Sequence, residues 1–184
     1  MPESNSPPVT IDSFTSGGAD DERRRMLRHF LAALAYRTQK ALRGCDAGFP
    51  DFSAGNKTRT PAELVRHMAS VLGYAGTFFT GGTYWPAPLP TFDEEIARFH
   101  AMLQSLSQHL SEGRPYLNGM TDERMLHGPL SDAMSHAGQL AMLRRIYGDP
   151  VPPENFIFAD VSADNLSSDQ AEPAQPDDVW PDAL

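Results

Sequence analysis

Ser131-Asp132-Ala133-Met134-Ser135-His136-Ala137-Gly138-Gln139, continued by Leu140 to Tyr147, is the stretch that decides how the chain reads. Its periodicity is helical. Asp132, His136, Leu140, Leu143 and Tyr147 fall on one stripe, strongly apolar in its second half. If that half faces a core, so does the polar half. Asp132 and His136, at i and i+4, then stand one above the other on a rigid element. The helix is expected from Pro129 to Gly148, with Pro150 beyond it.

Three more helices are expected upstream. About Asp21 to Arg43, apolar residues at Leu27, Phe30, Leu31, Leu34 and Ala41 share a face, with Gly44 as the stop. Thr60, Pro61 and Glu63 read as N-cap, N1 and N3 of a second helix carrying Leu64, Met68, Val71, Leu72, Phe78 and Phe79. It ends at Gly81-Gly82. Thr91 and Glu94 repeat the capping pattern ahead of the seam Ile96, Phe99, Leu103, Leu106 and Leu110, which stops at Gly113. The intervening Pro86, Pro88 and Pro90 exclude helix, and the connection is short enough to join antiparallel neighbours. Cys45 to Arg59 reads as polar loop. The resulting class is all-α, a four-helix bundle over residues 20–160, flanked by a flexible segment (1–19) and an acidic, largely irregular tail (161–184).

A chain of 184 residues is one domain's worth. Its net charge of −9 argues against nucleic acid or an anionic membrane as partner. Residues 149–184 hold nine Asp or Glu and no Lys or Arg, so the tail supplies the whole excess. The single cysteine, Cys45, excludes an internal disulfide and has no setting that would make it a nucleophile. No apolar run approaches a membrane span, and the first residues lack a signal-peptide pattern. A soluble, cytoplasmic protein is expected.

Two imidazoles and a carboxylate would leave a divalent cation with a coordination position for water or substrate. His67 supplies the second imidazole from the face of Leu64, Met68 and Val71. Each residue has a plainer explanation: a hydrogen-bonded core histidine for His67, and for Asp132 a first-turn carboxylate favoured by roughly 0.3–1 kcal/mol from the helix dipole. His136 is harder to explain that way, since an inward imidazole beside an inward carboxylate needs a partner for both. Ser135 and Gln139 flank the pair and would orient the ligands. His100, at the edge of the third helix's seam, is an alternative ligand if that helix rotates. His29, His109 and His127 are expected at solvent or in loops, and Arg144 and Arg145 at the helix C-terminal dipole, with binding of an anionic substrate as the alternative for the two arginines. Tyr84 and Trp85 are expected as a hydrophobic lid on the bundle end, or as the lip of a pocket.

Ser135-His136-Ala137-Gly138-Gln139-Leu140 with Leu143-Arg144-Arg145-Ile146-Tyr147-Gly148, and Thr60-Pro61-Ala62-Glu63-Leu64-Val65-Arg66-His67 before it, resemble the last and second helices of the DinB/YfiT-like superfamily. The resemblance covers about residues 20–160. It implies a four-helix bundle with a divalent metal, zinc or nickel, held by His67, Asp132 and His136. Many members have histidine where this chain has Asp132; mycothiol-dependent maleylpyruvate isomerases have a carboxylate. The resemblance further implies a low-molecular-weight thiol as cosubstrate, a small-molecule electrophile as substrate, and a homodimer. Thiol transfer or isomerisation leads on this reading. A metal-dependent hydrolase and a non-catalytic metal- or small-molecule-binding bundle stay open beside it.

Overall fold

The computed structural model describes residues 16–174. Four long helices carry the fold: α1 (Ser16–Leu42), α2 (Pro61–Thr80), α3 (Phe92–Ser111) and α5 (Ser131–Tyr147), with a short α4 (Asp122–Met125) before the last. No strand occurs among the described residues, and the chain is all-α. No helix among them is long and apolar enough to cross a membrane.

The local signals explain the helix starts. Thr60 accepts a hydrogen bond from the Glu63 amide while the Glu63 carboxylate accepts from the Thr60 amide, and Thr91 and Glu94 repeat this box. Each satisfies two amide donors that a bare helix start would leave without partners. Gly148 ends α5 in the left-handed conformation at φ 98°. The first helix begins at Ser16, inside the segment expected to be flexible; the remainder of that segment, and residues 175–184 of the acidic tail, lie outside the described residues.

Each long helix packs on two others, α1 on α3 and α5, and α2 on α3 and α5. Fully buried Leu31, Leu34, Leu64, Met68, Phe99, Leu103, Leu106 and Leu140 fill the space between them. Removing such side chains from water is the main term favouring the packed state, roughly 1.5–3 kcal/mol each. Helix direction follows from side-chain pairs. Arg66 meets Glu95 near the starts of α2 and α3, and Phe79 stacks on His109 near their ends, so these two run parallel. Arg28 reaches Ser107, which sets α1 against α3. Arg24 lies near Asp122, and Arg144 binds the Ala41 carbonyl, which sets α1 alongside α5.

The antiparallel pairing expected for α2 and α3 is therefore replaced by a parallel one. The physical reason lies in the connection. Residues 81–91 have no helical turn and run back along the pair, where Tyr84 packs onto Gly73 in the middle of α2. Three prolines keep that run extended. Tyr84 is thus no lid on the bundle end, and Trp85 is 87% exposed.

The last helix also starts differently. Thr121 caps α4, and a π-helical turn over Leu126–Leu130 carries the chain directly into α5. Gly128 takes the non-helical φ −86°, ψ −106° ahead of Pro129, since proline disfavours helical geometry in the residue before it. Glycine tolerates that geometry, and the helical run continues past it.

Beyond α5 the chain wraps α1. Glu154 is bound by Tyr36 and Lys40, Asp164 pairs with Arg28, and Leu166 and Gln170 are buried. The disordered segment expected after Ala163 is thus held against the body as far as Glu172, though without helix. Beside these side chains and the Glu172–Arg43 ion pair, its anchors include backbone groups: the Leu166 carbonyl at His100 and the Gln170 and Ala171 carbonyls at Arg43. The composition of a polar segment carries no sign of such bonds.

Candidate metal centre

The antiparallel contact of α2 with α5 brings His67, Asp132 and His136 together. One ligand atom from each lies within 4.8 Å of the others, and the group could hold a metal ion. His136 Nε2 is 3.4 Å from one Asp132 oxygen, and His67 Nε2 is 4.0 Å from the other. The two imidazole rings meet edge to face with centroids 4.8 Å apart. His136 is nearly enclosed, its side chain 10% exposed, whereas Asp132 is 50% and His67 31% exposed. The group is therefore closed at His136 and open to solvent at Asp132 and His67.

The hydrogen bonds of His136 specify its chemistry. Its Nδ1 lies 3.0 Å from Gln139 Oε1, which can only accept. The proton of a neutral ring is then on Nδ1, and Nε2 carries a lone pair. That Nε2 is buried and has no hydrogen-bond partner. A buried acceptor without a partner costs about 1–3 kcal/mol. A cation between the three residues would remove that cost, and the donor set of two imidazoles and a carboxylate suits zinc or nickel.

His67 is also poised as a neutral donor. Burial, the positive charge of Arg59 and the neighbouring His136 push its pKa below the ordinary histidine value, against the opposing pull of Asp132. Arg59 stands just before the N-cap of α2, in the loop entering that helix.

The remaining sequence-predicted residues separate. Gln139 touches His136 as expected, but Ser135 is exposed and donates to the Ser131 carbonyl within its own helix. His100 is not brought to the group: its Nδ1 lies 2.8 Å from the Leu166 carbonyl, under the docked tail. His29 and His127 are exposed. His109, expected at solvent or in a loop, instead stacks on Phe79 within α3. Arg144 is 3% exposed and ties the end of α1 to the end of α5 through the Ala41, Arg43 and Asp149 carbonyls. The Cys45 thiol is pushed up by burial, which disfavours a thiolate.

Two features that pack on or lead into α5 have little signal in the sequence. The π turn over Leu126–Leu130 ends one residue before Ser131, and such turns recur next to functional sites; Gly128-Pro129 was its visible trace. Phe49, inside a loop that reads as polar, is fully buried beneath Tyr147. No known protein family, curated protein or solved structure matches the chain.

Proposed function

We propose that this chain is a divalent-metal-dependent enzyme that transfers a low-molecular-weight thiol to, or isomerises, a small electrophile. The carrying observation is the buried Nε2 of His136, held as a lone-pair donor by Gln139 and facing His67 and Asp132 with no hydrogen-bond partner. The resemblance of the second and last helices to the DinB/YfiT-like superfamily supports thiol chemistry over other uses of such a centre.

When bound, zinc or nickel would lower the pKa of a thiol or water in its open position, supplying a nucleophile at neutral pH. The residues then divide the work. His136 fixes the buried side of the centre, with Gln139 holding its ring orientation and tautomer. His67 contributes a second neutral imidazole, kept so by burial and by Arg59. Asp132 brings the negative charge that offsets part of the cation's. The solvent-facing side, between His67 and Asp132, is where a small-molecule substrate would approach.

Elemental analysis of the purified protein tests this reading beside a His67→Ala/His136→Ala variant. About one equivalent of zinc or nickel is expected, and the variant should lack it while keeping its helical circular dichroism. Equal metal in both proteins, or none in either after loading, would overturn the centre. With metal present, a panel of small thiols and electrophiles against water alone separates thiol transfer from hydrolysis. Metal-dependent turnover with water only would replace the thiol by the hydrolytic reading.

A further inference from the structure

A cavity of about 500 Å³ lies on the other side of α5, between that helix, α1 and the chain segment that follows α5. Gly138 and Arg145 line it, and each is turned about 160–180° from His136 around the helix axis at 100° per residue. This cavity is therefore separate from the metal centre and does not depend on it.

Its floor is made of small residues, Ala137, Gly138 and Ala141 on α5 and Ala41 on α1. Gly138 is the telling one. Glycine within a helix costs about 1 kcal/mol relative to alanine, so it needs a reason. Packing does not provide one, because a Cβ at Gly138 would meet nothing within 4 Å. What glycine preserves there is open volume. Met134 and Met142 stand on α5 beside it, and Phe156 faces them from the wrapping segment. The lining is thus apolar and, through the methionines, adaptable.

The charges are placed at the rim. Glu154, the acidic residue of the lining, is fully enclosed and bound by Lys40 and Tyr36, so that the Lys40 and Glu154 charges cancel. Arg37 then stands as an exposed cation at the edge of the lining. Arg37 is exposed, with its guanidinium 3.8 Å over the Phe156 ring. Stacking occupies the face of that group and leaves its N–H edge for a planar anion. The Arg37 guanidinium at the mouth of an apolar pocket, on a chain of net charge −9, selects for an anion with an apolar body.

We propose that this cavity binds a monocarboxylate with an unbranched apolar tail, the tail over Gly138 and the carboxylate at Arg37. Calorimetric titration of decanoate into the full chain tests it, with 1-decanol as the uncharged probe. Saturable 1:1 binding of decanoate is expected, with 1-decanol at least tenfold weaker. Gly138→Phe places a ring in the open volume and should abolish binding; its thermal melt confirms that it folds. Arg37→Gln should weaken decanoate about tenfold and leave 1-decanol unchanged. No binding to the full chain, equal affinity for both probes, or undiminished binding by Gly138→Phe would each overturn the proposal. So would an absence of binding joined to a sedimentation mass that Gly138→Phe alters, which would give the cavity to a second copy of the chain.

Discussion

His136 Nδ1 and Gln139 Oε1 lie 3.0 Å apart on successive turns of α5, and this one contact sets which ring nitrogen faces His67 and Asp132. Were the ring free to exchange tautomers, Nε2 would spend part of its time protonated and unable to bind a cation. Gln139→Leu removes the acceptor without touching a ligand. Zinc affinity by chelator competition should fall 10- to 100-fold in that variant. Gln139→Glu, which accepts more strongly, should restore it.

Glu95 is 1% exposed and receives Arg66 from α2, Arg98 from α3 and the Leu89 amide from the connection between them. Burial would raise its carboxyl, but Arg66, Leu89 and Arg98 outweigh burial and hold it below the ordinary 4.5. A depressed folded pKa means that this stabilisation is present above pH 4.5 and is lost as pH falls through the folded value. Glu95→Gln should cost about 2 kcal/mol at pH 7, since it strands two partly buried guanidiniums. The difference in melting temperature from the parent should narrow below pH 4, a narrowing readable by calorimetry.

A Cβ on Gly73 would sit 2.2 to 2.6 Å from three ring atoms of Tyr84. Gly73→Ala must push the ring away and loosen the crossing connection, at about 1–3 kcal/mol. Tyr84→Ala removes the obstacle. In that background Gly73→Ala should cost nothing, and the urea-melt coupling between the two positions measures the contact.

His100 is buried, and burial pushes its pKa below the histidine norm, only partly offset by the bond to the Leu166 carbonyl. The docked tail thus prefers the neutral ring. Docking should be full above pH 6.5, where even a free histidine is neutral, and weaken as pH falls below it. Amide exchange at Leu166–Gln170, corrected for its intrinsic pH dependence, should quicken between pH 7 and pH 5. In His100→Gln the same amides should lose that dependence.

The helices were legible because their signals are local. Both capping boxes and the stop at Gly148 stand in the sequence as patterns of a few residues, and each forms in the structure. The meeting of His67 with Asp132 and His136 was legible for a different reason. Each shares a stripe with core residues, so burying Leu64 and Leu140 leaves these side chains pointing toward the helix contact. Direction was not legible, because eleven residues between α2 and α3 suffice for a hairpin or for a full return run. The course of the tail was hidden likewise. Part of its hold on the body comes from carbonyls, which every residue has, received by Arg43 and His100. Nor does helical periodicity foresee the π turn, which shifts the register by one residue ahead of Asp132.

The return run from Gly81 to Thr91 carries an asymmetry for chain-length changes. Helix α2 has 20 residues and spans about 30 Å, while eleven extended residues reach at most about 36–40 Å. Two residues fewer would leave about 30–32 Å, enough to return but without slack, and three fewer would leave about 26–29 Å, too short to return at all. Insertions at Trp85, which is exposed, meet no such limit. A surface segment rich in proline thus tolerates growth but not trimming, the behaviour of a tether at nearly its full reach.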